Sequence, residues 1–225
     1  MSAPTGCKRC GACCQEGGPA LHGGDLELVR SGRLRLDELI TVNLGELAFQ
    51  PLATTATTVV HEFLKLQGRD GTWCCTFYDE TARGCLRYAD RPLACGLLDC
   101  TDTGPLLDIA GQDLLTRFDC IDHNDPILAI ILKHQQQSPC PDMQTLSQDF
   151  EPMATRVEFL ASLLEAVNLD LAFRSRTATT FQLSVALELF YFGRPLFQLL
   201  LPLGIQAVNT PAGLWLNTQH GSTGP

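Results

Sequence analysis

Four cysteines lie within eight residues near the start of the sequence, and their spacing suits a metal site. They follow the pattern Cys-x-x-Cys-x-x-Cys-Cys and are Cys7, Cys10, Cys13 and Cys14. Thiolates bind soft metals, and the glycine inside the run permits the tight turn that lets closely spaced sulfurs converge. Seven further cysteines follow, at Cys74, Cys75, Cys85, Cys95, Cys100, Cys120 and Cys140. The sequence therefore predicts a protein that binds metal through cysteine.

A disulfide framework is the other common use of so many cysteines. Eleven is an odd number, so disulfides alone would leave one thiol unpaired. No basic segment followed by an apolar one precedes the first cysteine, so we expect no secretory signal. Dense cysteine clusters in the reducing cytosol bind metal more often than they form disulfides. We therefore expect a cytoplasmic protein whose cysteines are metal ligands.

Two adjacent cysteines follow a predicted hairpin. Residues 61–67 alternate as a strand does, and the turn at 68–71 would fold this strand back onto residues 72–78. Neighbouring strand residues point to opposite faces, so only one of Cys74 and Cys75 faces a given metal. We choose Cys75 and expect Cys74 to be a small buried hydrophobic residue.

The choice of Cys75 gives a regular second set of cysteines, in which Cys85 and Cys95 follow at equal spacing. These cysteines lie in segments rich in turn residues, where ligands are readily directed toward a metal. Cys100, five residues after Cys95, is a further candidate ligand. Arg91 either donates hydrogen bonds toward the thiolates or pairs with a surface carboxylate, Asp90 or Asp79.

The order of these motifs resembles the YkgJ-type cysteine cluster family, the bacterial CxxCxxCC proteins described as chelators of zinc or iron. The resemblance covers residues 7–100, and beside the first cysteine run it rests on Cys75-Thr-Phe-Tyr, Cys85-Leu-Arg-Tyr and Arg91-Pro-Leu-Ala-Cys95. It implies a soluble bacterial protein with the ligands Cys7, Cys10, Cys13, Cys14, Cys75, Cys85 and Cys95. Members of the family often carry an aromatic residue and a proline soon after the last of these, whereas this chain continues Gly96-Leu-Leu-Asp-Cys100.

The ligand types leave the metal open between zinc and an iron–sulfur cluster. A structural zinc takes four Cys or His ligands, so seven or eight thiolates would fill two zinc sites. Three cysteines on one tight loop with a distant fourth are typical of a [4Fe–4S] cluster. The later cysteines are also spread out and form no second Cys-x-x-Cys knuckle. The balance favours the iron–sulfur cluster.

A second Cys/His site is conceivable in the middle of the sequence. Residues 126–136 are a predicted helix, and its flanks and its body carry Cys120, His123, His134 and Cys140. Their spacing matches no common zinc motif, so we expect ordinary buried cysteines and surface histidines.

The carboxy-terminal part of the sequence has the periodicity of helices. We predict an amphipathic helix over 154–173, a second helix over 180–192, and two short strands at 205–208 and 214–216. The apolar stripe of the first helix is predicted to contain Val157, Leu160, Leu164, Val167 and Leu171.

These elements predict a helix-rich α+β fold, in which an irregular cysteine-loop metal site with a small β-hairpin packs against helices. A short helix over 26–31, capped by Asp25, is expected after the first cysteine run. We place a cysteine-cluster metal-binding domain at residues 1–150 and a helical carboxy-terminal region, packed on it, at 151–225.

Charge and composition narrow the function. The formal net charge is −9, which disfavours nucleic acid, and glycines and prolines interrupt the longest apolar stretch at 190–208, which excludes a membrane span. Three classes remain: a metal-binding accessory protein with a protein partner, a redox carrier or oxygen sensor with an iron–sulfur cluster, and an enzyme that modifies a protein or peptide. No Gly-rich phosphate loop, Ser–His–Asp order or His-Glu-x-x-His motif occurs in the sequence. We favour the accessory protein.

Overall fold

A computed structural model describes residues 10–69, 71–149, 156–211 and 213–218. Its many helices and small antiparallel strand pairs confirm the predicted helix-rich α+β class. The α-helices are α1 (Ala12–Glu16), α2 (Leu26–Arg30), α3 (Leu93–Leu97), α4 (Gly104–Ile109), α5 (Arg117–Cys120), α6 (Ile127–Gln137), α7 (Met143–Asp149), α8 (Arg156–Phe181), α9 (Val185–Phe192) and α10 (Leu196–Leu199). The strands are β1 (Leu39–Val42), β2 (Leu47–Phe49), β3 (Ala56–Thr58), β4 (Phe63–Leu66), β5 (Tyr78–Asp79), β6 (Gly84–Cys85), β7 (Ile205–Thr210) and β8 (Gly213–Thr218).

The strands form antiparallel pairs, and one of these pairs differs from the hairpin that the sequence predicted. β4 pairs with β1, in the register Leu39 opposite Leu66, and not with residues 72–78. Residues 72–78 do fold back, but they meet the preceding chain at a single bridge between Gly68 and Cys75. All of β1 is buried, so it needs cover on both faces, and α9 supplies part of it. Pairing with β1 places Leu39, Leu64 and Leu66 in the first core, where all three are buried.

Two apolar cores hold the fold together. The first surrounds β1 and β4 and includes Leu64 together with Phe190 and Phe192 of α9. The second lies among α7, α8, α10 and the β7–β8 hairpin and includes Val167 and Leu200. The boundary that we placed at residue 150 lies outside the described residues and stays a prediction.

The long helix α8 differs from its prediction in its end and in its buried face. It continues to Phe181, and Val157, predicted to be in the apolar stripe, is 82% exposed. Of the predicted stripe, Val167 is buried, and Leu160, Leu164 and Leu171 are half-buried against the second core. The buried face of α8 also contains the ion pair of Asp170 and Arg174. The predicted stripe is therefore confirmed apart from Val157, but periodicity alone did not predict the charged pair that is buried beside it.

The other carboxy-terminal elements occur as predicted, except that the helix predicted from residue 180 begins at Val185, since residues 180 and 181 still belong to α8. α9 begins at Val185 because the Ser184 hydroxyl accepts a hydrogen bond from the backbone N–H of Leu187, 3.2 Å away. It ends at Gly193, whose φ of +71° suits glycine. β7 and β8 confirm the two predicted strands. Within the described residues, no helix is long and apolar enough to cross a membrane.

Candidate metal centre

The first cysteine loop is fastened by its backbone. Gly11 has a φ of +82° and begins the short helix α1, which carries Cys13 and Cys14. The carbonyl of Cys14 accepts a hydrogen bond from the N–H of Cys75 at 2.7 Å. Gly11 also lies against Tyr78, since a Cβ atom at this position would fall 2.0 Å from the tyrosine hydroxyl. The loop is thereby joined to the segment that carries Cys75.

A small hairpin brings Cys85 back to the same place. Tyr78 of β5 is paired with Cys85 of β6, and the N–H of Leu86 donates to the carbonyl of Phe77 at 2.8 Å. Phe77 and Tyr78 are both buried, so their rings fix this hairpin against the first core.

The third segment is α3, which carries Cys95, and Asp25 holds its first turn. One oxygen of the buried Asp25 carboxylate accepts from the N–H of Leu93 at 2.7 Å, and the other accepts from the N–H of His22 at 2.9 Å. The helix predicted after Asp25 exists as α2, but Asp25 does not cap it through its side chain. This carboxylate instead satisfies a free N–H at the start of α3.

These three segments enclose one pocket, and its wall contains seven of the eight predicted ligands. They are Cys10, Cys13, Cys14, Cys75, Cys85, Cys95 and Cys100. The eighth, Cys7, lies outside the described residues. Cys74 does not belong to the described lining of the pocket, and it packs at the margin of the first core.

The cysteines line one pocket, but their described side chains are not arranged as a metal site. Over the residues that the structure describes, no group of three or more His, Cys, Asp or Glu side chains is arranged to hold a metal ion. The assignment of these cysteines as ligands therefore stays a prediction, now supported by their common location.

The cysteines differ in their exposure along the pocket. Cys75 is buried, Cys14, Cys85 and Cys95 are half-buried, and Cys10, Cys13 and Cys100 are exposed. Tyr78, Tyr88 and Leu98 belong to the same wall. The pocket thus has an apolar inner end and an open rim.

Burial keeps the inner thiols protonated when no metal is bound. Burial, together with the neighbouring Cys13, raises the pKa of Cys14 to about 12. Burial likewise raises the pKa of Cys75 and that of Cys95, where nearby thiols add to the effect. Only thiolates ligate metals well, so binding must displace protons and should strengthen as the pH rises.

Arg91 contributes a hydrogen-bond donor to the wall of this pocket. One terminal nitrogen donates to the carbonyl of Tyr88 at 3.0 Å, and the guanidinium stacks 4.2 Å from the centre of the Tyr88 ring. Its Nε is buried and has no hydrogen-bond partner among the described residues. Asp90, one of the carboxylates considered for Arg91, pairs with Arg33 at 3.1 Å. A buried donor beside clustered thiols fits an anionic metal–thiolate group.

Comparison with known proteins finds a family of metal chelators over the part of the chain that forms this pocket. Residues 6–111 match the family model CxxCxxCC, described as a putative zinc- or iron-chelating domain. The match contains all eight predicted ligands. The description does not determine which metal is bound. No curated protein and no solved structure matches the chain.

The second Cys/His combination does not come together in the described structure. His134 is buried and its Nε2 lies 2.7 Å from an Asp170 oxygen, so the expectation of a surface histidine is wrong for this residue. His123 is exposed, as expected. Burial raises the pKa of Cys120 to about 11 and also raises that of Cys140, so both behave as packed thiols.

Two groups of buried polar residues have partners that the sequence did not predict. The position of Asp25 before a helix indicated a capping role, but its hydrogen bond to the N–H of Leu93 could not be predicted, because Leu93 is distant in sequence. The ion pair of Asp170 and Arg174 has the spacing of one helical turn and could have been noticed as charges inside an apolar pattern.

Replacement of Gly11 by alanine is expected to lower the metal content of the purified protein. The new Cβ would clash with Tyr78, so the cysteine loop must move away from Cys75. Gly32→Ala is the matched control, because Gly32 also has a positive φ, +71°, but has open space around it. Both changes should cost about 1 kcal/mol from the backbone alone. Metal analysis should show a loss for Gly11→Ala only, and an equal loss in both variants would contradict the proposed contact.

Proposed function

We propose that this protein is a cytoplasmic bacterial metal-binding accessory protein whose thiolate pocket holds an iron–sulfur cluster. The observation that carries the proposal is the convergence of seven cysteines on one pocket from three separate segments of the chain. Zinc is the alternative occupant. The matched family, described as zinc- or iron-chelating, supports metal chelation and leaves this choice open.

The number and spacing of the thiols favour a cluster over a single zinc ion. One zinc ion is saturated by four ligands, and this wall carries more thiols than that. The tight first loop presents several of them from consecutive positions, with Cys75, Cys85 and Cys95 reaching the pocket from elsewhere. The unpartnered N–H of Arg91 would donate to an anionic sulfur, which stabilises the charged group and adjusts its potential.

The open rim supports an accessory role with a protein partner. Cys10, Cys13 and Cys100 are exposed, so a bound metal group is reachable from outside the fold. A partner that docks at this rim would be able to exchange thiolate ligands with the group. The negative formal charge argues for a protein partner rather than for nucleic acid.

The same rim is the reason to consider a redox protein as a second candidate. Electron transfer and oxygen sensing both need a cluster near the surface, where a reductant or oxygen can approach it. The two functions differ in their response to electrons. A carrier or sensor should bleach reversibly on reduction by dithionite or decay in air, whereas a zinc centre should do neither.

The test is metal analysis and a visible spectrum of protein purified without oxygen. Iron with acid-labile sulfide and a broad visible band would support the cluster, and one or two zinc ions in colourless protein would support zinc. Cys10→Ser is expected to lower both the bound metal and the melting temperature, because binding energy is coupled to folding energy. Cys120→Ser, which lies outside the pocket lining, is the control and should retain its metal. Zinc in place of iron would overturn the proposed cluster, and protein that carries neither iron nor zinc would overturn the metal centre itself.

A further inference from the structure

The short helix α3, which carries Cys95, is joined to the rest of the fold through Asp25. The N–H of Leu93, the first residue of α3, donates to Oδ1 of the Asp25 carboxylate at 2.7 Å. Among the described residues, no other hydrogen bond of α3 leads outside residues 92–98. Cys95 follows Leu93 by two residues on the same helix. This bond is therefore the hydrogen-bonded link between Cys95 and the body of the protein.

The other oxygen of Asp25 is attached to the first core. Oδ2 accepts from the N–H of His22 at 2.9 Å. His22 belongs to a segment that runs beside β4, where the N–H of Leu21 donates to the carbonyl of Leu64 at 2.8 Å. Leu21 and Leu64 are both fully buried members of the first core. The carboxylate thus connects α3 to a well-packed part of the molecule.

The two bonds of Asp25 require a carboxylate. Asp25 is 2% exposed, and no lysine or arginine pairs with it in the described part of the chain, so its interactions are with N–H groups. Such charge-assisted hydrogen bonds are about twice as strong as neutral ones. An asparagine has the same shape but only one accepting oxygen, so its NH₂ group would face the N–H of either His22 or Leu93. Asparagine can therefore keep one of the two bonds at most.

The other cysteine segments of the pocket are held in place without Asp25. The carbonyl of Cys14 accepts directly from the N–H of Cys75, and Cys85 lies in the hairpin of β5 and β6. Burial raises the pKa of Cys95, and the Cys75 thiol adds to this effect, so the two thiols are within electrostatic range of each other. The position of Cys95 relative to these thiols thus depends on how α3 is attached.

We propose that Asp25 is a positioning residue of the metal centre, which holds α3 so that Cys95 can share a metal with the other thiols of the pocket. This inference rests on the proposed function, because it takes Cys95 as a ligand. Residues that hold metal ligands in place without touching the metal typically change its affinity about 10–100-fold when they are replaced.

The first test compares Co²⁺ binding by the full chain and by Asp25→Asn. Co²⁺ is the probe because its thiolate charge-transfer band reports the sulfurs bound to it. Asp25→Asn should weaken Co²⁺ binding about 10–100-fold and lower the intensity of this band per bound ion. Equal affinity and an equal band in the two proteins would overturn the proposal.

Asp119→Asn is the matched control for this comparison. The Asp119 carboxylate also accepts from a backbone N–H at the start of a short helix, that of Thr116 at 2.8 Å. Its helix α5 carries Cys120, which does not belong to the described lining of the pocket. Asp119→Asn should therefore bind Co²⁺ as the original chain does, and a loss equal to that of Asp25→Asn would overturn the specific role of Asp25.

Leu93→Pro removes the same bond from the donor side, because proline has no N–H. Proline is well tolerated at the first position of a helix, and Pro92, with a ψ of 157°, already has the conformation that precedes a proline. Leu93→Ala keeps the N–H and is the control. Leu93→Pro should lose Co²⁺ affinity as Asp25→Asn does, and the double variant should lose little more than either one. Equal Co²⁺ binding by Leu93→Pro and Leu93→Ala would overturn the proposal.

A measurement on metal-free protein separates this proposal from the proposed function. Iodoacetamide should alkylate Cys95 about tenfold faster in Asp25→Asn than in the original chain, since the loss of a hydrogen bond favours local opening. Cys120, which is also half-buried, is the internal control and should react at the same rate in both proteins. Equal acceleration at both cysteines would indicate general unfolding and overturn the positioning role. Protein that binds no Co²⁺ would overturn the metal centre, whereas the alkylation rates still decide whether Asp25 holds Cys95.

Discussion

Replacement of Cys75 by serine is expected to remove at least half of the bound metal and to abolish the rise in melting temperature that metal produces. Cys75 is the most buried cysteine of the pocket, at 6% exposure, and burial together with the neighbouring thiols Cys85 and Cys13 of the pocket raises its pKa. Serine has a similar size but is a poor ligand for a soft metal, so the change removes the sulfur and little else. Metal per chain and thermal unfolding with and without metal measure both effects.

The adjacent cysteine provides an internal control. Cys74→Ser changes the same atom one residue away, outside the described lining of the pocket, and should keep its metal. Without metal, the two variants should differ in stability by about 1 kcal/mol or less, since each replaces a thiol at a packed position. A Cys74→Ser variant that loses as much metal as Cys75→Ser would show that the metal ligands are assigned to the wrong cysteines.

The distinction between Cys74 and Cys75 shows how far sequence reasoning reaches. Neighbouring residues in extended backbone point to opposite sides whether or not a regular strand forms. The prediction therefore placed Cys75 and Cys74 on different sides although the hairpin behind it was wrong. β4 pairs with β1. The N–H of Cys75 donates to the carbonyl of Cys14, a residue about sixty positions earlier. Pairings over such separations depend on the whole core and leave no local signal.

The charged residues of the interior were the least predictable. Helix periodicity treats aspartate and arginine as surface residues, yet Asp170 and Arg174 lie on the buried face of α8. Their burial is possible because backbone and side-chain partners from other elements meet there, including Leu196 and His134. Val157, near the start of α8, is the one residue of the predicted stripe that is exposed. The end of α9 at Gly193, by contrast, was readable because glycine is a local stop signal.

Replacement of Asp170 by alanine is expected to lower the free energy of unfolding by about 3–5 kcal/mol. Its carboxylate serves Arg174, His134 and the N–H of Leu196 at once, and all of these groups are buried. Burial alone would raise the pKa of Asp170, but the hydrogen bond from His134 and the charge of Arg174 hold it below its ordinary value. The alanine variant leaves the guanidinium of Arg174 buried without its counter-charge, which is the costly situation. Denaturant unfolding measures the change.

Glu165→Ala is the control for this experiment, because Glu165 is exposed on the same helix and should change stability by about 0.5 kcal/mol or less. Asp170→Asn keeps the shape of the side chain and should be less damaging than alanine, since it still accepts a hydrogen bond. A loss under about 1 kcal/mol for Asp170→Ala would show that Arg174 reaches solvent or another acceptor.

The Asp170 carboxylate connects α6, which precedes the boundary predicted at residue 150, with α8 and α10, which follow it. We therefore expect one unfolding transition, with the cysteine pocket and the carboxy-terminal helices lost together. Two transitions, of which Asp170→Ala shifts only one, would instead mark the predicted boundary as the limit between two folding units.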